Sequence, residues 1–210
     1  MIISKKAVEL IIGEEVSSVT VYNKKYTGLV WPGGESGVTI GIGYDLGYQS
    51  SQSIENDWIL EIGAHQVSIL KMFAGLRGKK AQLAMLGNKL AAQISVPYQA
   101  AYNVFVKISL PKYGRMALQV YPGLNELTPD AVGAIVSLVY NRGTNLQGDR
   151  RTEMKTIIPL VADKDYTGIA EQLDSMKRLW DNGLVARREK EAALVRNSLR
   201  QYAHDELITI

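Results

Sequence analysis

Cysteine is absent from this chain of 210 residues, so no disulfide framework and no thiolate metal site exist. The chain is therefore free to fold in a reducing or an oxidising compartment. Histidine occurs only at His65 and His204, too few for a histidine-rich zinc site and a poor basis for Ser-His-Asp chemistry. Long hydrophobic runs are missing as well: nothing approaches the roughly 20 apolar residues of a membrane-spanning helix. The opening Met1-Ile2-Ile3-Ser4-Lys5-Lys6 has too short an apolar stretch for a secretory signal. Synthesis in the cytoplasm is expected, with delivery elsewhere left to another system. Repeats, low-complexity tracts and flexible linkers are also lacking.

What is present is ordinary for a folded protein: 46% hydrophobic and 21% charged residues, enough for one sizeable core or two lobes sharing a helix. The net charge of +3 favours anionic surfaces without choosing among nucleic acid, phospholipid and cell-wall polymer. Apolar periodicity predicts a first helix over residues 4–15, capped by Ser4. Further helices are predicted over 54–63, 65–76, 79–92, 97–108 and 111–119, with Pro97 and Pro111 in first turns, where a missing N–H costs nothing. Thr128-Pro129-Asp130 supplies a capping hydroxyl, a proline and an acid ahead of a run apolar on more than one side. This predicts a buried central helix ending near Arg142-Gly143. Helices over 151–163, 166–181 and 184–203 complete the chain. The class expected is mainly α with one small β-hairpin.

The segment Gly37-Val38-Thr39-Ile40-Gly41-Ile42-Gly43-Tyr44-Asp45-Leu46-Gly47 carries that hairpin. Its β-branched run favours an extended strand, and its glycines let backbone approach backbone or ligand. Gly41-x-Gly43 is not a dinucleotide fingerprint, because Leu46 stands where the third glycine belongs and a polar stretch follows. Upstream lie Glu14 and Glu15 at a helix end. A carboxyl on a rigid element facing a second one on a glycine turn is what glycosidic-bond cleavage requires: one donates a proton to the leaving oxygen, the other guides water or stabilises the oxocarbenium. Glu15, with Val8, Ile11 and Ile12 behind it, suits a buried acid. Asp45, beside Tyr44 and a Ser/Gln-rich loop, suits a polar, ionised role. Helical phase alone does not separate Glu15 from Glu14.

Three separated motifs resemble the phage-type lysozymes (endolysin-like muramidases), in particular their pesticin-like bacteriocin branch. The first is Glu15 followed by Thr39-Ile40-Gly41-Ile42-Gly43-Tyr44-Asp45-Leu46-Gly47. The second is Ser137-Leu138-Val139-Tyr140-Asn141-Arg142-Gly143. The third is Gly183-Leu184-Val185-Ala186-Arg187-Arg188-Glu189-Lys190-Glu191. They occur in the family's order and span most of the chain.

The resemblance implies a two-lobed lysozyme-like fold over residues 1–210, with an N-terminal part to about residue 95 and a helical lobe over 96–210 around the central helix. It implies a muramidase that hydrolyses the β-1,4 bond between N-acetylmuramic acid and N-acetylglucosamine in peptidoglycan, with no metal or organic cofactor. Glu15 would be the general acid, Thr39 would hold the attacking water, and Asp45 would be the second carboxylate. In ordinary phage lysozymes that aspartate precedes the threonine, where Gly33 stands here. Tyr44, Asn141 and Arg142 are candidate saccharide contacts. The expected partner is the glycan strand, met by a monomer in the periplasm or outside the cell for lysis or killing, with an immunity protein or delivery machinery as further possible partners; nucleic acid is not an expected partner. A non-catalytic wall-binding protein of the same fold and a lytic transglycosylase are the alternatives.

Overall fold

A computed structural model describes residues 1–181 and 183–210. In chain order its elements are β1 (Ile2–Ser4), α1 (Lys5–Val16), α2 (Val19–Lys25), β2 (Thr39–Ile40), β3 (Tyr44–Asp45), α3 (Ser51–Lys71), α4 (Gly78–Gly87) and α5 (Tyr98–Val104). A π-helical turn, Phe105–Ser109, comes next, then α6 (Leu110–Val120), α7 (Pro129–Arg142), α8 (Thr152–Ala162), α9 (Tyr166–Ser175), α10 (Leu184–Arg196) and β4 (Leu207–Thr209). The chain is mainly helical, as its periodicity predicts. Among the described residues no helix is long and apolar enough to cross a membrane.

These elements form two units: Met1–Glu14 with Leu110–Ile210, and Glu15–Ser109. The division expected near residue 95 therefore lies later, and residues 1–14 belong with the C-terminal part.

The first unit is built on α7, in which every residue from Asp130 to Val139 is buried. Gly133 allows the close approach of α1: a Cβ there would lie 2.1 Å from the Cβ of Ala7. Ser4 caps α1 as expected, its Oγ accepting the Ala7 N–H at 3.1 Å. Thr128 sits at the N-cap of α7 but its hydroxyl makes no bond to the helix; its own N–H instead donates to the Tyr166 hydroxyl at 3.3 Å. The helix α10 stops at Arg196, short of the predicted 203, where Asn197 donates from its side chain to the Ala193 carbonyl. The freed chain returns as β4, antiparallel to β1, with Ile2 opposite Thr209.

Within the third motif Arg187, Arg188 and Glu191 form a buried polar network of this unit, while the exposed Glu189 pairs with Lys177 at 3.4 Å. Arg187, Arg188 and Glu191 are all at most 2% exposed. The Ser137 hydroxyl donates to Glu191 Oε1 at 2.6 Å, and Arg188 and Arg187 donate to the same oxygen at 2.8 and 3.3 Å. Charges taken this far from water persist only when paired and hydrogen-bonded.

The second unit packs α2 to α5 around the buried rings of Tyr22, Trp58 and Phe73. Gly63 breaks α3 with φ 75° and ψ 167°, which divides the span into the two helices that the sequence predicts. The helix α4 ends at Asn88, whose Oδ1 accepts the Leu90 N–H and opens a tighter turn. Pro111 follows the π-helical turn; widening the coil ahead of a proline relieves its clash with the carbonyl four residues earlier.

Candidate active site

The hairpin β2–β3 is antiparallel, with Thr39 opposite Asp45 and Ile40 opposite Tyr44. A third segment joins at Val30, which exchanges both backbone hydrogen bonds with Thr39 at 2.9 and 2.7 Å. Side chains alternate between faces of a ladder, and directly opposed residues share one. Val30, Thr39 and Asp45 therefore stand side by side on one face, while Ile40 and Tyr44 stand on the other, which is core: they are 1% and 5% exposed.

The Val30–Thr39 face borders a cavity of about 370 Å³ within the second unit, lined also by Glu15, Val16, Tyr26, Pro32, Gly41 and Gly43. Glu15 reaches it from the last turn of α1 and is half-buried, less sheltered than the apolar residues behind it suggest. Its neighbour Glu14 is committed elsewhere, in an ion pair with Lys190 at 2.6 Å within the first unit. Of the two adjacent acids, Glu15 borders the cavity and Glu14 is not among its lining residues. The helix reverses at Ser17, whose φ of 63° is left-handed. Ser18 then caps α2, its Oγ accepting from Val21 at 3.2 Å. This turn brings Tyr26, just past α2, to the cavity.

Asp45 is not among the residues lining the cavity, though it adjoins Thr39 on the same face. Its Oδ2 accepts the Gly37 N–H at 3.0 Å and its Oδ1 the Gly47 N–H at 2.8 Å. Burial pushes its carboxyl above the ordinary aspartate value, opposed by those two amides and by the Arg77 guanidinium. Each carboxylate oxygen has two lone pairs, so one acceptor position on each remains after the amide bonds. The glycines make this clamp possible. A Cβ at Gly37 would lie 2.1 Å from Asp45 Oδ1, and one at Gly47 would lie 2.6 Å from the Leu76 carbonyl oxygen.

Tyr44 is placed otherwise than a saccharide contact would be. Its hydroxyl donates to Asp57 Oδ2 at 2.6 Å, and its ring meets Trp58 edge-on at 5.4 Å. Burial first, then the Asp57 carboxylate, drive its phenol well above the ordinary tyrosine range. The period of two across the hairpin decides this: Tyr44 points away from whatever Asp45 faces. The aromatic residue at the cavity is Tyr26, which sequence patterning passes over because it lies in a polar loop with no periodicity to mark it.

Asn141 and Arg142, at the end of α7, line another pocket that lies in the first unit. The structure brings Glu15, Thr39 and Asp45 into one unit and puts Asn141 and Arg142 in the other. Among the described residues no group of three His, Cys, Asp or Glu side chains is placed to hold a metal ion.

The family described as Domain of unknown function (DUF8812) matches residues 13–119, just over half of the chain. The chain belongs to this DUF8812 family. The matched span contains Glu15, Thr39, Asp45 and all of the cavity lining, so the candidate site lies wholly within the DUF8812 region. Asn141, Arg142 and the buried Arg187–Arg188–Glu191 network fall outside it. No curated protein matches the chain.

Proposed function

We propose that the protein is a peptidoglycan-cleaving glycoside hydrolase, a muramidase with a lysozyme-like fold, acting on the bacterial wall. The observation that carries this reading is the pairing of one carboxyl, Glu15, and one hydroxyl, Thr39, on a single cavity, with the Asp45 carboxylate beside Thr39 across the hairpin. Glu15 donates its proton to the leaving glycosidic oxygen. Thr39 holds water against the anomeric carbon. Asp45, fixed by two backbone amides, takes the proton that this water loses as it attacks, its negative charge favouring the cationic sugar until then. Tyr26 offers an aromatic face to the pyranose ring. A held water implies single displacement, with inversion at the anomeric carbon.

A second reading, a lytic transglycosylase, draws support from a specific feature: Glu15 is the one carboxyl among the described residues lining the cavity. A single acid/base suffices when the muramic acid's own hydroxyl displaces the leaving group.

Digestion of purified peptidoglycan, read by mass spectrometry, decides between them. The proposal expects reducing N-acetylmuramic acid ends, and Glu15→Gln lowering turnover by about 10²–10⁴-fold, the usual worth of a positioned proton donor, with an unchanged circular dichroism spectrum. Anhydro ends establish the second reading. Intact glycan strands after incubation with the wild-type protein rule out both.

A further inference from the structure

The first unit carries a second pocket that the glycosidase reading does not use. It measures about 400 Å³, and its lining includes Asn141, Arg142, Arg150, Arg151 and Trp180. From this geometry we propose that it binds a phosphate dianion, either free or as the terminal group of a small phosphomonoester.

Three guanidiniums meet here, and the one carboxylate whose charge offsets Arg142, that of Glu153, is ion-paired with Arg178, which also holds Asp149. Among the described residues Arg142, Arg150 and Arg151 form no ion pair with any Asp or Glu. Their visible partners are neutral: Arg142 donates to the Arg150 carbonyl, and Arg151 approaches the Met154 sulfur at 3.3 Å. Arg142 Nε is buried with no acceptor at all. An unmet donor of this kind is costly to hide from water, and a ligand oxygen would satisfy it.

Trp180 explains how like charges are held together. Arg142 lies 4.8 Å from its ring centroid and Arg150 5.9 Å, within the range of cation–π attraction. The indole thus supports the cations without cancelling their charge. The pKa of Arg142 falls to about 10, through burial first and then the neighbouring Arg151, Arg188 and Arg150, with Glu153 opposing. Asn141 Oδ1 accepts from Arg188 at 3.4 Å, which leaves its amide hydrogens available to a ligand in the pocket it lines. Guanidinium forks match the oxygens of carboxylate and phosphate alike. Three forks around one space favour the species with more oxygens and two negative charges. The pocket is larger than phosphate alone needs, which leaves room for the organic part of an ester.

The test is chemical denaturation of the full chain with inorganic phosphate, methyl phosphate or acetate, each matched to chloride at equal ionic strength. Ligand at ten times its dissociation constant multiplies the folded-to-unfolded ratio about elevenfold. Phosphate and methyl phosphate should both do this, and acetate should not. Stabilisation by inorganic phosphate alone identifies the free ion as the ligand, whereas tighter binding of methyl phosphate identifies an ester. Arg150→Gln and Arg151→Gln should abolish the response. Without phosphate these variants should be no less stable than the wild type, since each relieves repulsion; this separates a binding role from a structural one. An equal response to acetate or chloride, or a full phosphate response in both variants, overturns the proposal.

Discussion

Asp45 shows how much one side chain can carry at the residue scale. Its two oxygens hold Gly37 and Gly47, so it fastens the two ends of the glycine segment while standing beside Thr39. Asp45→Asn keeps the shape but sets an NH2 against one of those amides. One hydrogen bond is lost and one buried donor is left unmet, a cost of about 1–3 kcal/mol, measurable by urea denaturation. The same substitution carries a pH signature. Because the folded-state pKa is raised above the ordinary 3.8, the folded protein binds this proton more tightly than the unfolded chain does. Its contribution is complete below the unfolded value and is lost as pH rises through the folded one. The stability difference, wild type minus Asp45→Asn, should therefore fall with rising pH across that window. A difference that climbs instead would mean that the amides outweigh burial.

At the scale of elements, the hairpin depends on backbone contacts that only glycine permits. At Gly47 a Cβ would meet the Leu76 carbonyl oxygen at 2.6 Å and the Gly37 Cα at 2.8 Å; both are backbone atoms, unable to swing aside. Gly47→Ala should thus cost about 1–3 kcal/mol in overpacking and displace Thr39 from the cavity wall. On the proposed function, turnover of peptidoglycan should drop more than the lost stability explains, measured well below the variant's melting temperature. Activity equal to wild type would detach the hairpin from catalysis. Most helices were legible from apolar spacing, and the end of α7 from glycine. The ends of α4 and α10 were not, because they rest on Asn88 and Asn197 bonding to nearby backbone, and no apolar period reports such bonds. The π-helical turn before Pro111 was equally hidden: proline signalled a boundary, and the chain widened its coil instead. The pairing of β1 with β4 joins residues 2–4 to 207–209, a separation that local patterning does not register.

For the whole molecule, sequence patterning marked the hairpin that sets Thr39 opposite Asp45, and Glu15 lies in the same unit. It misplaced Tyr44, because alternation across a two-residue strand turns on a single register step, and it passed over Tyr26 and the arginine pocket, which depend on tertiary folding. Net charge is a property of the whole chain, and at +3 it bears on how the proposed hydrolase would meet an anionic wall. Attraction at a distance is screened by salt, whereas proton transfer at contact is not. Raising ionic strength from about 0.05 to about 0.5 M shortens the Debye length from roughly 13 to roughly 4 Å. Co-sedimentation with purified peptidoglycan should weaken severalfold over that range. On the proposed function, cleavage of a short soluble muropeptide chain at saturating concentration should change little, because Glu15 and Thr39 border a cavity rather than the open surface. The two curves should separate as salt rises. If both fall together, salt is acting on the catalytic site itself and long-range attraction is not the controlling step; if neither moves, the basic surplus contributes nothing to finding the wall.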